Sequence, residues 1–256
     1  MRWSVHRATR AVLSAAAACL LVAATAVAYE GGPVENGGTI TGLIQVVGEV
    51  TPLPPQPVQK HAKECGTTVP DERLAFAADG ALQNVAVTLV GIERGKPLPT
   101  TPVVLSNRKC AFVPHVLDAS VGQKIELVNE DPFLHDAHAW LGDRTLFNLA
   151  IPKGRTVRTR LEDAGIIHVN CNVRHTWMHA YLFVAEHPYH AVTGPDGRFT
   201  ITDVPAGKHR LRIWHELLGS AEREVVVPAG GTVDVTIGLA ATAPMPTGEP
   251  TENLIP

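Results

Sequence analysis

The sequence predicts an all-β chain built as two sandwich modules, and three observations carry that expectation. Short runs of β-branched and apolar residues recur along it, several with period-two alternation. Gly- and Pro-bearing turns such as "GPDG" and "VPAG" separate them. Helical periodicity is scarce. Composition adds an exclusion, because a net charge of -3, 5% aromatic residues and no basic block leave no footprint for nucleic acid or an anionic membrane surface.

In chain order, Arg2, Arg7 and Arg10 precede an uncharged run from Ala11 to Ala28 that ends in Ala26, Val27, Ala28. That is the grammar of an export signal, residues 1–28, and it implies a periplasmic or secreted protein with no transmembrane anchor after cleavage. Residues 29–80 read as an N-terminal extension; "TITGLIQVV" at 39–47 has strand character, but "VTPLPPQPVQ" is too Pro-rich for a central strand. A first module is expected over 81–187, with strands near 83–92, 124–130, 155–162, 165–171 and 180–186 and a short helix from Asp143 to Ala150. The second, over 188–240, has four short strands suited to a small antiparallel sandwich. Residues 241–256, with four prolines and no apolar period, read as a disordered tail.

Cysteine arithmetic directs attention to one stretch. Signal cleavage removes Cys19 and leaves Cys65, Cys110 and Cys171, an odd number for an oxidising compartment. The simplest pairing joins Cys65 to Cys110, both in turn-like surroundings, and leaves Cys171 free. A free thiol there is a liability unless it is buried or holds a metal.

Cys171 lies in "HVNCNVRHTWMHAY", residues 168–181. Strand parity puts Ile167, Val169 and Cys171 on the core-facing side and points His168 outward. A trigonal copper site needs a thiolate, two imidazoles and a weak axial thioether. The loop after Cys171 offers His175 and Met178, with His179 able to compete for the axial place. The second imidazole must come from elsewhere, and "VNEDPFLHDAHAW" offers His135, with His138 three residues later. Copper suits this soft set better than zinc, which favours four strong ligands; His138 or His179 as a further ligand would shift the balance towards zinc or a less blue copper site.

The runs "FVPHVLDASVGQKIELVNEDPFLHDAH" and "GIIHVNCNVRHTWM" resemble the cupredoxin family. The resemblance covers about 81–187 and implies a Greek-key sandwich holding one type 1-like copper ion through His135, Cys171, His175 and Met178. It also implies that Asn129 braces the ligand loop. The His175 to Met178 interval is shorter than in the commonest loops of that family, and the first cysteine of a binuclear loop would fall at Ile167, which excludes a binuclear site. The run "AVTGPDGRFTITDVPAGKHRLRIWHELLG" resembles carboxypeptidase regulatory-like domains and a non-catalytic domain of rhamnogalacturonan lyases, which implies a transthyretin-like sandwich without catalytic residues. The joined order resembles bacterial envelope proteins likened to methylamine utilization proteins.

The expected function is single-electron transfer to a periplasmic redox partner that docks where a ligand histidine reaches the surface. The alternatives are a metal-free envelope module that binds a glycan or a protein, with a glycan on the C-terminal domain, and a copper carrier. An enzyme is not expected, since neither a nucleophile elbow nor a second metal centre is legible. His115 reads as a surface histidine, His187 and His190 as parts of the connection between modules, and His215 and Glu216 as structural. Trp140 and Trp177 could screen a site from water.

Overall fold

The computed structural model describes residues 28–240. The expected export signal, all but its last residue, and the expected tail at 241–256 lie outside the described residues. Among the described residues the chain is all-β, with helical turns only at Ala62–Cys65 and Glu72–Leu74, and no helix long and apolar enough to cross a membrane.

Two sheets form the first sandwich. One has the spatial order Thr156–Arg160, Lys124–Asn129, Val103–Arg108, Ala111–Val113. The other runs Arg144–Ile151, His135–Leu141, Gly165–Asn170, His179–Ala185, Val116–Ser120. Their inner faces enclose a core that includes Leu105, Ile125, Leu127, Ala137, Ile167 and Val169. Gly165–Asn170 alternates buried and half-buried residues, as a strand with one face on the core should.

The second sandwich draws on more of the chain than expected. Its four-stranded sheet orders His190–Val192, Ala86–Leu89, Gly207–His215 and Gly219–Val227. Its three-stranded sheet places Gly38–Val47 between Arg198–Val204 and Thr232–Ala240. Strand Gly38–Val47 falls in the segment expected to be an extension, and Ala86–Leu89 in the expected first module, yet both complete the C-terminal sandwich. The pairing of Gly38–Val47 with Thr232–Ala240 is parallel, so the sandwich is not purely antiparallel. Parallel partners need a long crossover, and here it takes in the whole first sandwich together with the other strands of the second.

A second correction concerns 143–150. These residues form no helix; Arg144–Ile151 is a strand paired with His135–Leu141. The hairpin closes Leu141 against Arg144 through Gly142 and Asp143, with Gly142 at φ +55. A Gly-Asp pair between two apolar runs is a two-residue hairpin turn.

Strand His179–Ala185 is buried along nearly its whole length. Ala180, Leu182 and Val184 face its own core. Phe183 and Ala185 pack against Ala86, Val192 and Trp214, and Tyr181 meets Trp214 edge-on at 5.1 Å. The second sandwich therefore covers the outer face of the sheet that carries Cys171. Removing a side chain such as Phe183 from water contributes about 1.5–3 kcal/mol, which favours a fixed junction.

Candidate metal centre

Cys65 and Cys110 are joined as a disulfide, and Cys171 is free and buried. Cys171 follows the Gly165–Asn170 strand on the same side as Ile167 and Val169, all nearly inaccessible. His168 takes the opposite face, but that face is covered: it stacks on Tyr181 at 5.0 Å, and burial pushes its imidazole down to about 4.

After Cys171 the chain makes a closed loop. Cys171 donates its backbone N–H to the Met178 carbonyl (3.2 Å), and Met178 donates to the His175 carbonyl (2.8 Å). This tight return swings His175 back over the sulfur, so His175 Nδ1 lies 3.4 Å from Cys171 Sγ. His135 opens the His135–Leu141 strand on the neighbouring chain segment, and its Nδ1 lies 3.5 Å from the same sulfur. The two imidazoles are 4.7 Å apart between centroids. Both histidines are fully buried. Met178 is buried in the same apolar cluster as Cys171.

The support around these groups was only partly anticipated. His135 Nε2–H donates to Asp131 Oδ2 (3.0 Å), which fixes the tautomer and leaves Nδ1 as a lone pair aimed at Cys171. Burial would raise Asp131, but the bond from His135 and the backbone N–H groups of Cys110 and Lys109 hold its carboxyl below the usual range. Asn129 braces the loop that delivers His135 and not the Cys171 loop: it donates to the Phe133 and Ile151 carbonyls, each at 2.7 Å, and accepts from Asp131 N–H at 3.0 Å. The Cys171 loop is held instead by Asp136, whose Oδ1 accepts from Asn172 (2.6 Å) and Val173 (3.2 Å). Burial pushes the Cys171 thiol up to about 12. A cation entering here would displace that proton. Burial, aided by His135 and His61, pushes His175 down to about 4, so at neutral pH it presents a lone pair.

Neither histidine of the pair reaches solvent, contrary to the expected exposed ligand edge. His61 stacks on Phe133 at 3.9 Å with planes 6° apart, and both rings lie 5.4 Å from His175. The His61 half of this cover comes from the segment that Cys65 tethers to Cys110, and Phe133 from the loop that delivers His135. Trp177, 5.3 Å from His175, is pinned by its indole N–H to the Cys110 carbonyl (2.9 Å). Trp140 stacks on His138, and His138 bonds Thr145 and Asn172, outside the cluster of His135, Cys171 and His175. His179 turns towards Glu216.

One further expectation changes, that of a surface His115. His115 is buried, at 4% exposure, and pairs with Glu216. His190 Nδ1 meets Asp118 at 2.8 Å and its Nε2 meets Ser120 Oγ at 3.0 Å. This hydrogen-bonded Ser–His–Asp series ties the modules together, with Ser120 at 0% exposure and out of reach of a substrate.

Fold and donors together define an all-β sandwich that gathers one cysteine and two histidines into a buried cluster. No family profile matches the chain, and no curated protein matches it. Among solved structures it is similar to a copper-containing nitrite reductase from Thermus scotoductus SA-01, at 27% identity over 36% of this chain, with a TM-score of 0.32. The chain spans only 24% of that reductase. It is also similar to a reduced proline-to-phenylalanine mutant of amicyanin (17% identity, 38% of this chain, 97% of that one, TM-score 0.30). A purple cupredoxin from Nitrosopumilus maritimus matches at 19% identity over 33% of this chain and 99% of its own, with a TM-score of 0.29.

Proposed function

We propose that the chain is an exported single-copper protein that passes one electron at a time. The observation that supports this most directly is the convergence of His135 Nδ1 and His175 Nδ1 on one free sulfur, at 3.5 and 3.4 Å. One thiolate and two imidazoles, with Met178 in the same buried apolar cluster as Cys171, offer the soft donor set that suits copper. A copper ion held there would supply a reversible one-electron change.

The residues divide the work. Cys171, His135 and His175 would hold the ion, and Met178 would be the weak axial donor. Asp131 orients His135, and Asp136 fixes the loop that carries His175. Phe133 and His61 keep water from His175. Donors held this firmly move little when the charge changes, which favours rapid transfer. A periplasmic redox partner would dock over the His61 and Phe133 cover, where the neighbouring Leu134 is 45% exposed. The second sandwich would serve as a regulatory-like module open to glycan recognition, without chemistry of its own. Copper hand-over to another protein is less well supported, because both imidazoles are inaccessible.

Metal analysis of protein exported to a periplasm, with visible spectra of the oxidised and reduced forms, tests this reading. The expected result is about one copper per chain and an intense thiolate-to-copper absorption, lost on reduction and absent in Cys171→Ala. Colour that survives Cys171→Ala, or a chain without copper, would overturn it.

A further inference from the structure

A second donor cluster lies where the two sandwiches meet. His115 immediately precedes strand Val116–Ser120, His179 opens strand His179–Ala185, and Glu216 follows strand Gly207–His215 of the other sandwich. One ligand atom from each lies within 4.8 Å of the others. His115 Nε2 pairs with Glu216 Oε1, and these two side chains are almost wholly buried.

His179 is what an ion pair alone leaves unexplained. Its Nδ1–H donates to the Trp177 carbonyl at 3.3 Å, which makes Nε2 a bare lone pair. That nitrogen is buried with no hydrogen-bond partner. It faces Glu216 Oε2 at 3.9 Å. A lone pair and a carboxylate oxygen repel each other in a dry junction unless a cation lies between them. A cavity of about 20 Å³ adjoins the group, lined in part by Glu72, His115, Met178 and His179. It has room for about one water molecule.

We propose that His115, His179 and Glu216 form a second metal site, suited to zinc, that clamps the two sandwiches together. Two imidazole nitrogens and a carboxylate oxygen are a borderline donor set of the kind zinc takes, with the cavity leaving a fourth place for water. Calcium and magnesium prefer oxygen throughout. The absence of sulfur separates this site from the one around Cys171, and nothing in it rests on copper binding there.

The test uses the full chain carrying Cys171→Ala, so that no thiolate can report a misplaced ion. The protein is equilibrated with Zn²⁺, dialysed, and examined by metal analysis, zinc-edge X-ray absorption and thermal unfolding. The expected result is about one zinc per chain, an inner shell of nitrogen and oxygen, and a higher unfolding temperature with zinc. Glu216→Gln and His179→Gln should each weaken zinc binding at least about tenfold, whereas adding His135→Ala should not. If Glu216→Gln fails to fold, His179→Gln decides the matter, since that side chain is 21% exposed and the easier to replace. A chain that retains no zinc, or zinc that depends on His135 and not on His179 and Glu216, would leave His115 and Glu216 an ion pair only and overturn the proposal.

Discussion

Asp136 holds Asn172 by a 2.6 Å bond from the backbone N–H of Asn172 to its carboxylate, and so the residue after one donor histidine fixes the loop that carries the other. Asp136→Ala removes the acceptor for Asn172 and Val173 and should cost about 1–3 kcal/mol of stability. Metal affinity should fall about 10- to 100-fold, as for other groups that orient ligands. Asp136→Asn keeps an oxygen in place and should retain most of both. Chemical denaturation beside competition with a copper chelator checks the pair; equal losses in the two variants would mean that the bonds to the loop are unimportant.

The stack of His61 on Phe133 seals His175. His61→Ala should speed extraction of the metal by a small chelator and let external imidazole reach the centre, at a stability cost of at most about 1 kcal/mol for a half-buried side chain. Removing the tether by Cys65→Ala with Cys110→Ala should have the same kinetic effect at a larger cost, about 2–4 kcal/mol, since the bridge closes a loop with a sequence separation of 45. Stopped-flow chelation reads the first effect. Unchanged extraction rates in both variants would remove the cover from the account.

His187 gives the molecule an acid-sensitive contact. Its Nε2–H donates to the Leu89 carbonyl at 2.9 Å, and its Nδ1 accepts the Tyr189 backbone N–H at 3.2 Å. Both nitrogens are committed to the neutral ring, and burial pushes the imidazole down to about 4. The unfolded chain, with a histidine near 6.5, takes up a proton that the folded chain refuses. Stability from this group is therefore full above about pH 6.5 and declines as pH falls towards about 4. Urea melts between those limits should show a shallower pH slope in His187→Gln, by up to about one proton. Identical slopes would show that His187 does not titrate in this way.

The grouping of Cys171, His175 and His135 was legible, and the residues that hold the group in place were not. Cys171, His175 and Met178 sit within one loop, so spacing alone groups them, and His135 was reachable because one loop after a strand must supply the missing imidazole. Asp131, Asp136 and His61 carried no such signal, since each acts through a partner that only the fold supplies. The same holds for His115 and Glu216, 101 residues apart and brought together by the packing of two sandwiches. Strands with clear period-two alternation and flanking turns, such as Lys124–Asn129 and Gly165–Asn170, were legible, whereas Val103–Arg108, Ala111–Val113, Val116–Ser120 and His135–Leu141 carried no expectation. Arg144–Ile151 was missed because its apolar residues are irregularly buried, and the Gly142–Asp143 turn was the better guide.

The ownership of strand Gly38–Val47 yields the last prediction. It pairs with Arg198–Val204 on one side and Thr232–Ala240 on the other, in the middle of its sheet. Gly197 locks the arrangement: its carbonyl accepts Ile44 N–H at 2.8 Å, its φ is +68, and a Cβ there would lie 2.7 Å from the Ile44 carbonyl oxygen and 2.9 Å from Leu82 N. A fragment of residues 188–240, the expected second module, lacks both Gly38–Val47 and Ala86–Leu89 and would expose two half-sheets. It should be unfolded by circular dichroism and amide exchange, whereas 28–240 should unfold cooperatively. Gly197→Ala in the longer chain should cost about 1–3 kcal/mol, because the left-handed backbone and both close contacts have to be relieved together. A folded 188–240 fragment would mean that the strand from the N-terminal segment is an accessory to this sandwich and not its central member.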